Sequence, residues 1–420
     1  MRKKGFAGGM LAGILIAAAA LCAGIIIIRS IADGGVTTIS EYSDAQILES
    51  VNSTKIDTLE ELIDTYYLDE IDKDALAEGV YAGIVDGLGD PYSVYYTAEE
   101  YEELLEESSG EYCGIGVTVI QDTSTGIITV LEVSEGSPAE EAGIAEDDVI
   151  TAVGGNDASG EELADVVAQI KGDEGTTVTI TVLRDGEYID FEVERRVIEV
   201  VSVEGQMLDD DVGCIAISQF EENTYDQFVR AYEELLAEGM EAVIFDLRDN
   251  PGGLYSSVCD VLDYILPEGT LVYTEDKYGV IETQSSAASC IDIPMAVLIN
   301  ENSASAAEIF AGAVQDFEAG AIVGTTSYGK GIVQSIFPLS DGSAVKLTVS
   351  YYFTPDGNCI HGIGIEPDVE VELEQTQEDD ADEGEGDADA GQAETGADDG
   401  DEDDTVTIDS QIEAAMETLK

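Results

Sequence analysis

Residues Met295 to Phe317 read MAVLINENSASAAEIFAGAVQDF, and this stretch sets the architecture of the second half of the chain. Its first five residues form an uninterrupted apolar run, the pattern of a strand covered on both faces. Asn300 to Ser305 are small and polar, as in a turn. From Ala306 onward, Ile309, Phe310, Ala313, Val314 and Phe317 fall at three- and four-residue spacings, one face of a helix. The stretch is therefore a strand, a tight turn and a helix.

The same grammar repeats around it. Gly213–Ile217 and Ala242–Leu247 read as strands, and each precedes a helix, Tyr225–Glu238 and Gly253–Ile265. Ala321–Val323 adds one more strand. Over residues 198–373 this predicts stacked strand–helix units in a mixed β/α core, with both sheet faces covered.

Upstream the pattern changes. Residues 110–197 hold a glycine-rich turn running into a strand, Gly114–Ile120, then strands at Ile127–Val133, Asp148–Val153 and Thr176–Arg184. Helices are expected at Ala139–Ala142 and Gly160–Lys171, which makes a compact β-rich module of ordinary domain size. Residues 44–109 read as helices. Leu59, Leu62, Ile63, Tyr66 and Tyr67 give one apolar face, Asp74–Leu88 is stopped by Gly89-Asp90-Pro91, and Ala98–Glu107 is a third stretch. A small packing or dimerisation module is expected there. The fold class is thus α+β and multidomain: a helical N-terminal region, a β-rich module and a mixed β/α core.

The two ends differ from the body. Arg2, Lys3 and Lys4 precede an uncharged run of 24 residues, Gly5 to Ile28. At about 1.5 Å per residue this run crosses a bilayer as a helix. Residues 1–34 are expected to be a cytoplasmic stub and a single cell-membrane anchor, with everything after Arg29 extracytoplasmic. A cleaved signal peptide, with Ser30-Ile31-Ala32 at the cleavage site, is the alternative. Residues 374–408 form an acidic segment in which Glu378–Asp404 carry 15 acids in 27 positions, a composition expected to stay disordered. Residues 409–420 read as a short helix that docks back through Ile412, Met416 and Leu419.

Ninety-one acidic residues face sixteen Lys and Arg, a formal net charge of −75. That excludes a broad basic surface for nucleic acid. Anionic headgroups would also repel it, so membrane contact must come from the apolar N-terminus. After Cys22, the cysteines at 113, 214, 259, 290 and 359 are too scattered for a disulfide framework or a zinc site. Cys214 and Cys259 read as buried thiols, and a single disulfide is not assignable by sequence. The acidic tract lacks the fixed spacing of a calcium loop. No metal and no cofactor are expected.

The chemistry is narrowed by a shortage. The chain has one histidine, His361, near the end of the core and away from any nucleophile turn in sequence. A serine nucleophile must therefore look elsewhere for its base. Ser305 sits on the strand-to-helix turn, beside the N–H groups of the helix start. By itself that turn reads as a helix cap before it reads as a nucleophile, with Glu308 completing a capping box. Thr325-Thr326-Ser327-Tyr328-Gly329-Lys330-Gly331-Ile332-Val333-Gln334 favours the catalytic reading. Flanking glycines let Lys330 turn into a cleft, and Gln334 can orient its amine without adding charge. Such a lysine must be neutral to act as a base. Moving its pKa from about 10.4 to about 7 takes roughly 4–5 kcal/mol of desolvation and neighbouring dipoles. Leu247-Arg248-Asp249-Asn250-Pro251-Gly252-Gly253 is a βα turn whose bare backbone can hold an oxyanion. A phosphate loop would need a following Gly-Lys-Ser/Thr, which is missing.

These segments together resemble the carboxyl-terminal processing (tail-specific) proteases. The resemblance rests on Asn300–Glu308, Tyr328–Gln334 and Asp246–Gly253, and continues through Tyr352-Phe353-Thr354-Pro355 and Gly364-Ile365-Glu366-Pro367-Asp368. It runs in the family's order from about Asp57 to Val371. It implies Ser305 as nucleophile, Lys330 as general base, Gln334 as its orienting partner, and oxyanion donors on the backbone of Gly252, Gly253 and Ala306. The module at 110–197 is similar to that family's PDZ domain. Gly114, Ile115, Gly116 and Val117 match its loop for the terminal carboxylate of a substrate. Ala307 and Cys113 depart from the common pattern, and neither removes a proposed catalytic atom. The acidic segment looks like an insertion.

The resemblance implies a serine endopeptidase of exported proteins, with protein or peptide substrates held by free C-termini, a PDZ domain that gates the site, and a homodimer supported by the helical region. The alternative is a catalytically inactive PDZ scaffold that binds C-terminal tails. A third reading, acyl-CoA chemistry, is disfavoured by export and by the PDZ-like module.

Overall fold

The structure, a computed structural model, describes residues 51, 53–208, 211–373 and 409–420. The expected cytoplasmic stub, membrane span and acidic segment lie outside the described residues. Among the described residues no helix is long and apolar enough to cross a membrane.

The chain divides into two compact units, residues up to 98 with 336–346, and residues 99–335 with 347–420. The first holds α1 (Ser53–Tyr66), α2 (Lys73–Asp86) and β1 (Val94–Tyr96). Asp72 caps α2, its carboxylate accepting the N–H groups of Asp74 and Ala75 at 3.0 Å. β1 pairs antiparallel with Ala344–Lys346. Among the described residues the apolar face read from the sequence is largely uncovered: Leu59 is 49% exposed and Leu62 48%.

The second unit begins with α3 (Ala98–Ser109), whose first residue belongs to the other unit, and β2 (Glu111–Gly114). A β-rich module follows: β3 (Val117–Gln121), β4 (Ile128–Val133), α4 (Pro138–Ala142), β5 (Val149–Val153), β6 (Asn156–Asp157), α5 (Leu163–Ile170), β7 (Thr177–Arg184) and β8 (Glu187–Glu194). The strand order is β3-β4-β5-β7-β8, with β6 on β5. Its core gathers Ile115, Val130, Val166, Ile180 and Val182, alternate positions of strands and one helix stripe. β9 (Arg196–Glu199) leaves the module and pairs antiparallel with β2, so the chain enters and exits through one two-stranded ribbon.

The remaining elements build a layered core. β10 (Val203–Met207) and β11 (Val212–Ile217) lead to α6 (Thr224–Glu238), β12 (Ala242–Asp246) and α7 (Tyr255–Ile265). β13 (Gly269–Asp276), β14 (Ile281–Ser286), β15 (Met295–Ile299), α8 (Ala306–Asp316) and β16 (Gly320–Gly324) come next. β17 (Ile332–Pro338), β18 (Ala344–Phe353), β19 (Val369–Glu370) and α9 (Ser410–Thr418) complete the chain. One sheet runs β10-β11-β12-β15-β16-β19, parallel from β11 onward. In the other, β13 pairs with β14 and with Ser350–Phe353 of β18. α7 starts at Tyr255 rather than at Gly253, because Gly252 and Gly253 hold φ of 110° and 133°, outside any right-handed helix.

Alternation along the parallel strands assigns the two faces. Val243 and Phe245 point to the side of α6, α7 and α8, with Phe228, Val258 and Phe310. Ala242 and Ile244 point to the other side, where Ile412 and Ala415 of α9 are completely buried. Asp409 caps α9 through the N–H groups of Gln411 and Ile412, at 2.8 and 2.9 Å. Arg248 at the end of β12 donates to Asp409 Oδ2 at 2.6 Å and to Gln411 Oε1 at 3.1 Å. Burial alone would raise the Asp409 pKa, but the Arg248 hydrogen bond brings it below its ordinary value.

Ile412→Ala removes a side chain with no exposed surface and is expected to lower stability by about 2–4 kcal/mol, read from the denaturant midpoint. The Asp409 contribution has the sign of a lowered carboxylate. It is complete above the unfolded value of about 3.9 and lost as pH falls through the lower folded value. Asp409→Asn is therefore expected to flatten the acid side of the stability–pH curve, and an unchanged curve would show that this pair contributes nothing.

Candidate active site

Three turns meet at the carboxyl ends of β12, β15 and β16. The first carries Ser305 between β15 and α8, at φ 56° and ψ −111°. A non-glycine residue in that region stores about 1–3 kcal/mol and needs its surroundings to hold it. Several bonds do so. Its N–H donates to Glu308 Oε2 at 2.8 Å, and its carbonyl accepts the Tyr352 hydroxyl at 3.0 Å. Tyr352 is buried, which pushes its phenol pKa well up and keeps it a proton donor. Ser303 Oγ donates to the Leu247 carbonyl at 2.7 Å, and Ala304 N–H to the Asn250 carbonyl at 2.9 Å.

The second turn follows β16 and carries Lys330, which is half-buried. Lys330 N–H donates to Glu308 Oε2 at 2.8 Å, the oxygen that also accepts from Ser305. Gly329 N–H and the Ser327 hydroxyl donate to Glu308 Oε1 at 2.7 and 2.6 Å. The structure therefore brings the backbones of Ser305 and Lys330 together on one carboxylate. Gln334 lies on β17, where its Nε2 donates to Thr348 Oγ1 at 3.4 Å. His361 lies beside this turn in space. A Cβ at Gly331 would stand 3.0 Å from the His361 Cβ, and the imidazole is exposed 5.6 Å from the Tyr351 ring.

The third turn is Asp249–Gly253. Asp249 Oδ1 accepts the side-chain amides of Asn300 and Asn302 at 2.9 and 2.7 Å, which ties this turn to the one before Ser305 and lowers the Asp249 pKa. Gly252 is packed against the serine. A Cβ there would lie 2.8 Å from Ser305 Cβ and 3.0 Å from Ala306 N, at a φ that side chains avoid. Its own N–H donates to Asn250 Oδ1 at 2.8 Å, and the fully buried Asn250 amide is fixed by the Ile217 carbonyl at 2.7 Å. The Gly252 N–H is thus engaged in this structure. The N–H groups of Gly253 and Ala306 have no acceptor among the described residues. Phe220 N–H donates to the Gly252 carbonyl at 2.8 Å, and Leu254 N–H to the Phe220 carbonyl at 2.6 Å, so a short parallel bridge fixes the glycines from below.

In the β-rich module, Gly114, Ile115, Gly116 and Val117 line a pocket of about 120 Å³ with Val119, Val167 and Ile170. Lys171 also lines it, bonded to Glu106 at 2.5 Å and lying 5.2 Å from the centre of the Tyr112 ring. The pocket is small and largely apolar, and it runs along the edge strand β3.

Three residues at the site escape a reading by sequence. Glu308 reads as a cap partner, and nothing local says that it also grips residues 327–330. Asn250 and Tyr352 stand inside segments singled out for other reasons, and their roles depend on where their side chains point. The described cysteines are free thiols, so the structure holds no disulfide among them. Burial pushes Cys214 and Cys259 up to about 12.

Comparison with known proteins identifies the domains. Residues 211–371 match peptidase family S41, residues 113–194 match the PDZ domain, and residues 14–100 match the activating protease CtpB N-terminal domain. The chain therefore carries a peptidase family S41 domain, with a PDZ domain ahead of it. It is 36% identical over 325 residues to a probable CtpA-like serine protease of Staphylococcus aureus (strain MSSA476), covering 76% of this chain and 65% of that protein. A probable CtpA-like serine protease of Staphylococcus epidermidis is also 36% identical over 325 residues, covering 76% of this chain and 66% of that protein. The chain spans about 65% of the length of these curated relatives. The solved photosystem II D1 C-terminal processing protease is 29% identical, with 74% of this chain and 86% of that chain covered at a TM-score of 0.45.

Gly252→Ala forces a side chain against Ser305 at a φ of 110°. Labelling of Ser305 by a fluorophosphonate is expected to slow by about 100-fold, the usual penalty for a misplaced reacting group. Binding of a C-terminal peptide to the PDZ pocket should not change. Equal labelling rates would show that the close approach has no bearing on the serine.

Proposed function

We propose that this chain is an extracytoplasmic serine endopeptidase that cleaves exported proteins after its PDZ domain captures their free C-terminus. The observation that carries the reading is the junction of the Ser305 and Lys330 turns on Glu308 Oε2, with a strained serine at a helix start. Ser305 Oγ attacks the scissile carbonyl while Lys330 Nζ takes its proton. Gly253 and Ala306 supply N–H groups to the oxyanion, and Gly252 provides the space for close approach. The ammonium so formed protonates the leaving amine, and the neutral amine then activates water to release the acyl group. Gln334 orients Lys330 in this scheme.

The apolar lining of the pocket along β3 supports capture of an apolar C-terminal residue, with the peptide pairing on β3. The uncovered apolar side chains of α1 and α2 are where a second copy would pack in a homodimer. Anchoring by the N-terminal apolar run would keep the enzyme on the outer face of the membrane.

The test uses the full chain and a peptide with a free apolar C-terminus. Ser305→Ala is expected to abolish turnover, and Lys330→Ala to lower kcat by roughly 10²–10⁴-fold. In the wild type, kcat should rise with pH as the base loses its proton. Undiminished cleavage by either variant would sink the dyad, whereas peptide binding without any turnover by the wild type would revive the scaffold reading.

A further inference from the structure

We infer that Glu308 is a positioning residue for hydrolysis, a buried carboxylate that locks the nucleophile turn and the base turn into one rigid piece. This rests on the dyad proposed above. A helix cap explains only one of its bonds, the one from the Ser305 N–H. The other three come from Ser327, Gly329 and Lys330, which lie 19 to 22 positions further along the chain and outside the helix. Nothing about capping α8 requires them.

The arrangement uses the whole acceptor capacity of a carboxylate. Oε1 accepts from the Ser327 hydroxyl and Gly329 N–H, and Oε2 from Ser305 N–H and Lys330 N–H. Glu308 has no exposed surface, so water is not a substitute partner. Three of the four donors are backbone groups, which cannot swing away without moving the chain. The Ser327 oxygen also accepts the Ile365 N–H at 2.7 Å, extending the lock to the loop that follows His361.

The consequence for chemistry is geometric. Two donors on a single oxygen keep the Ser305 and Lys330 nitrogens within two hydrogen-bond lengths of each other. The serine is held at φ 56°, a conformation it would leave if its N–H were released. Glutamine keeps the size of the side chain but replaces one oxygen by an amide that donates, so two of the four donors lose their acceptor. Aspartate is one methylene shorter and cannot reach both turns. The lock should act on turnover and not on capture of the substrate, because the PDZ pocket shares none of these residues.

The experiment compares full-length wild type, Glu308→Gln, Glu308→Asp, Ser327→Ala and Lys330→Ala. Each is measured for kcat and KM on the free-C-terminus peptide, for binding of an uncleavable peptide with the same C-terminus, and for thermal midpoint. Glu308→Gln and Glu308→Asp are expected to lose about 100-fold in kcat, with KM and peptide binding within about threefold of wild type. Ser327→Ala, which leaves both Oε2 bonds in place, is expected to lose about tenfold in kcat. A folded Glu308→Gln protein with kcat within threefold of wild type overturns the inference, as does a loss that appears equally in peptide binding. Should neither Glu308 variant fold, an unchanged kcat in Ser327→Ala overturns it instead. An active Lys330→Ala protein removes the dyad itself, whereas an inactive one beside an active Glu308→Gln removes only the lock.

Discussion

Much of this structure depends on keeping one serine in a backbone conformation it would not choose. Ser305 holds a positive φ where the chain must reverse from a buried strand into a buried helix. Free energy of about 1–3 kcal/mol is stored there, and it is offset by packing that leaves no alternative. β15 has no exposed residue, and α8 is buried from Ala306 through Val314. With strand and helix both fixed by the core, the turn between them has little freedom left. The glycine of the neighbouring turn and the hydroxyl of Tyr352 close the remaining space.

The same economy joins the PDZ domain to the peptidase family S41 domain. β2 and β9 form a ribbon, and at its base the Asn223 side-chain amide donates to the Gly110 carbonyl at 2.7 Å. Glu222 N–H reaches the Ser108 carbonyl at 3.0 Å. These residues directly follow Phe220, whose backbone pairs with Gly252–Leu254. One short loop thus touches both the root of the PDZ domain and the turn beside Ser305. The ribbon therefore has a covalent and hydrogen-bonded connection to that turn.

How much was legible in the sequence follows from how local each signal is. The strand–turn–helix at Met295–Phe317 could be read because hydrophobic periodicity depends on near neighbours alone. The glycine-flanked lysine and the Gly252-Gly253 pair could be read because glycine marks a backbone that must bend or come close. The spatial neighbours of those turns were not legible. Glu308 joins residues 19 or more positions apart, and Arg248 meets Asp409 across 161 positions. The Gly252 N–H looked like a free donor by sequence, yet it is taken by Asn250, a matter of one side-chain torsion. The lone histidine could be dismissed as a base by its distance along the chain, although the fold sets it beside the lysine turn.

The extreme acidity of the chain bears on these contacts. With 91 carboxylates and only 16 Lys and Arg, most acids must be solvated, and each cation can be placed where a carboxylate would otherwise be stranded. Arg184 meets Asp148, whose side chain has no exposed surface. Arg248 bridges Asp246 and Asp409 at the seam between the sheet and α9. Glu308 is different, because it is met by backbone N–H groups and a hydroxyl without a cation in the set. That difference suits its place. A guanidinium or ammonium partner beside the proposed base would favour its neutral form by repulsion, but would also compete for the carboxylate that fixes the turns. Fixed dipoles of the two turns hold the carboxylate in its place.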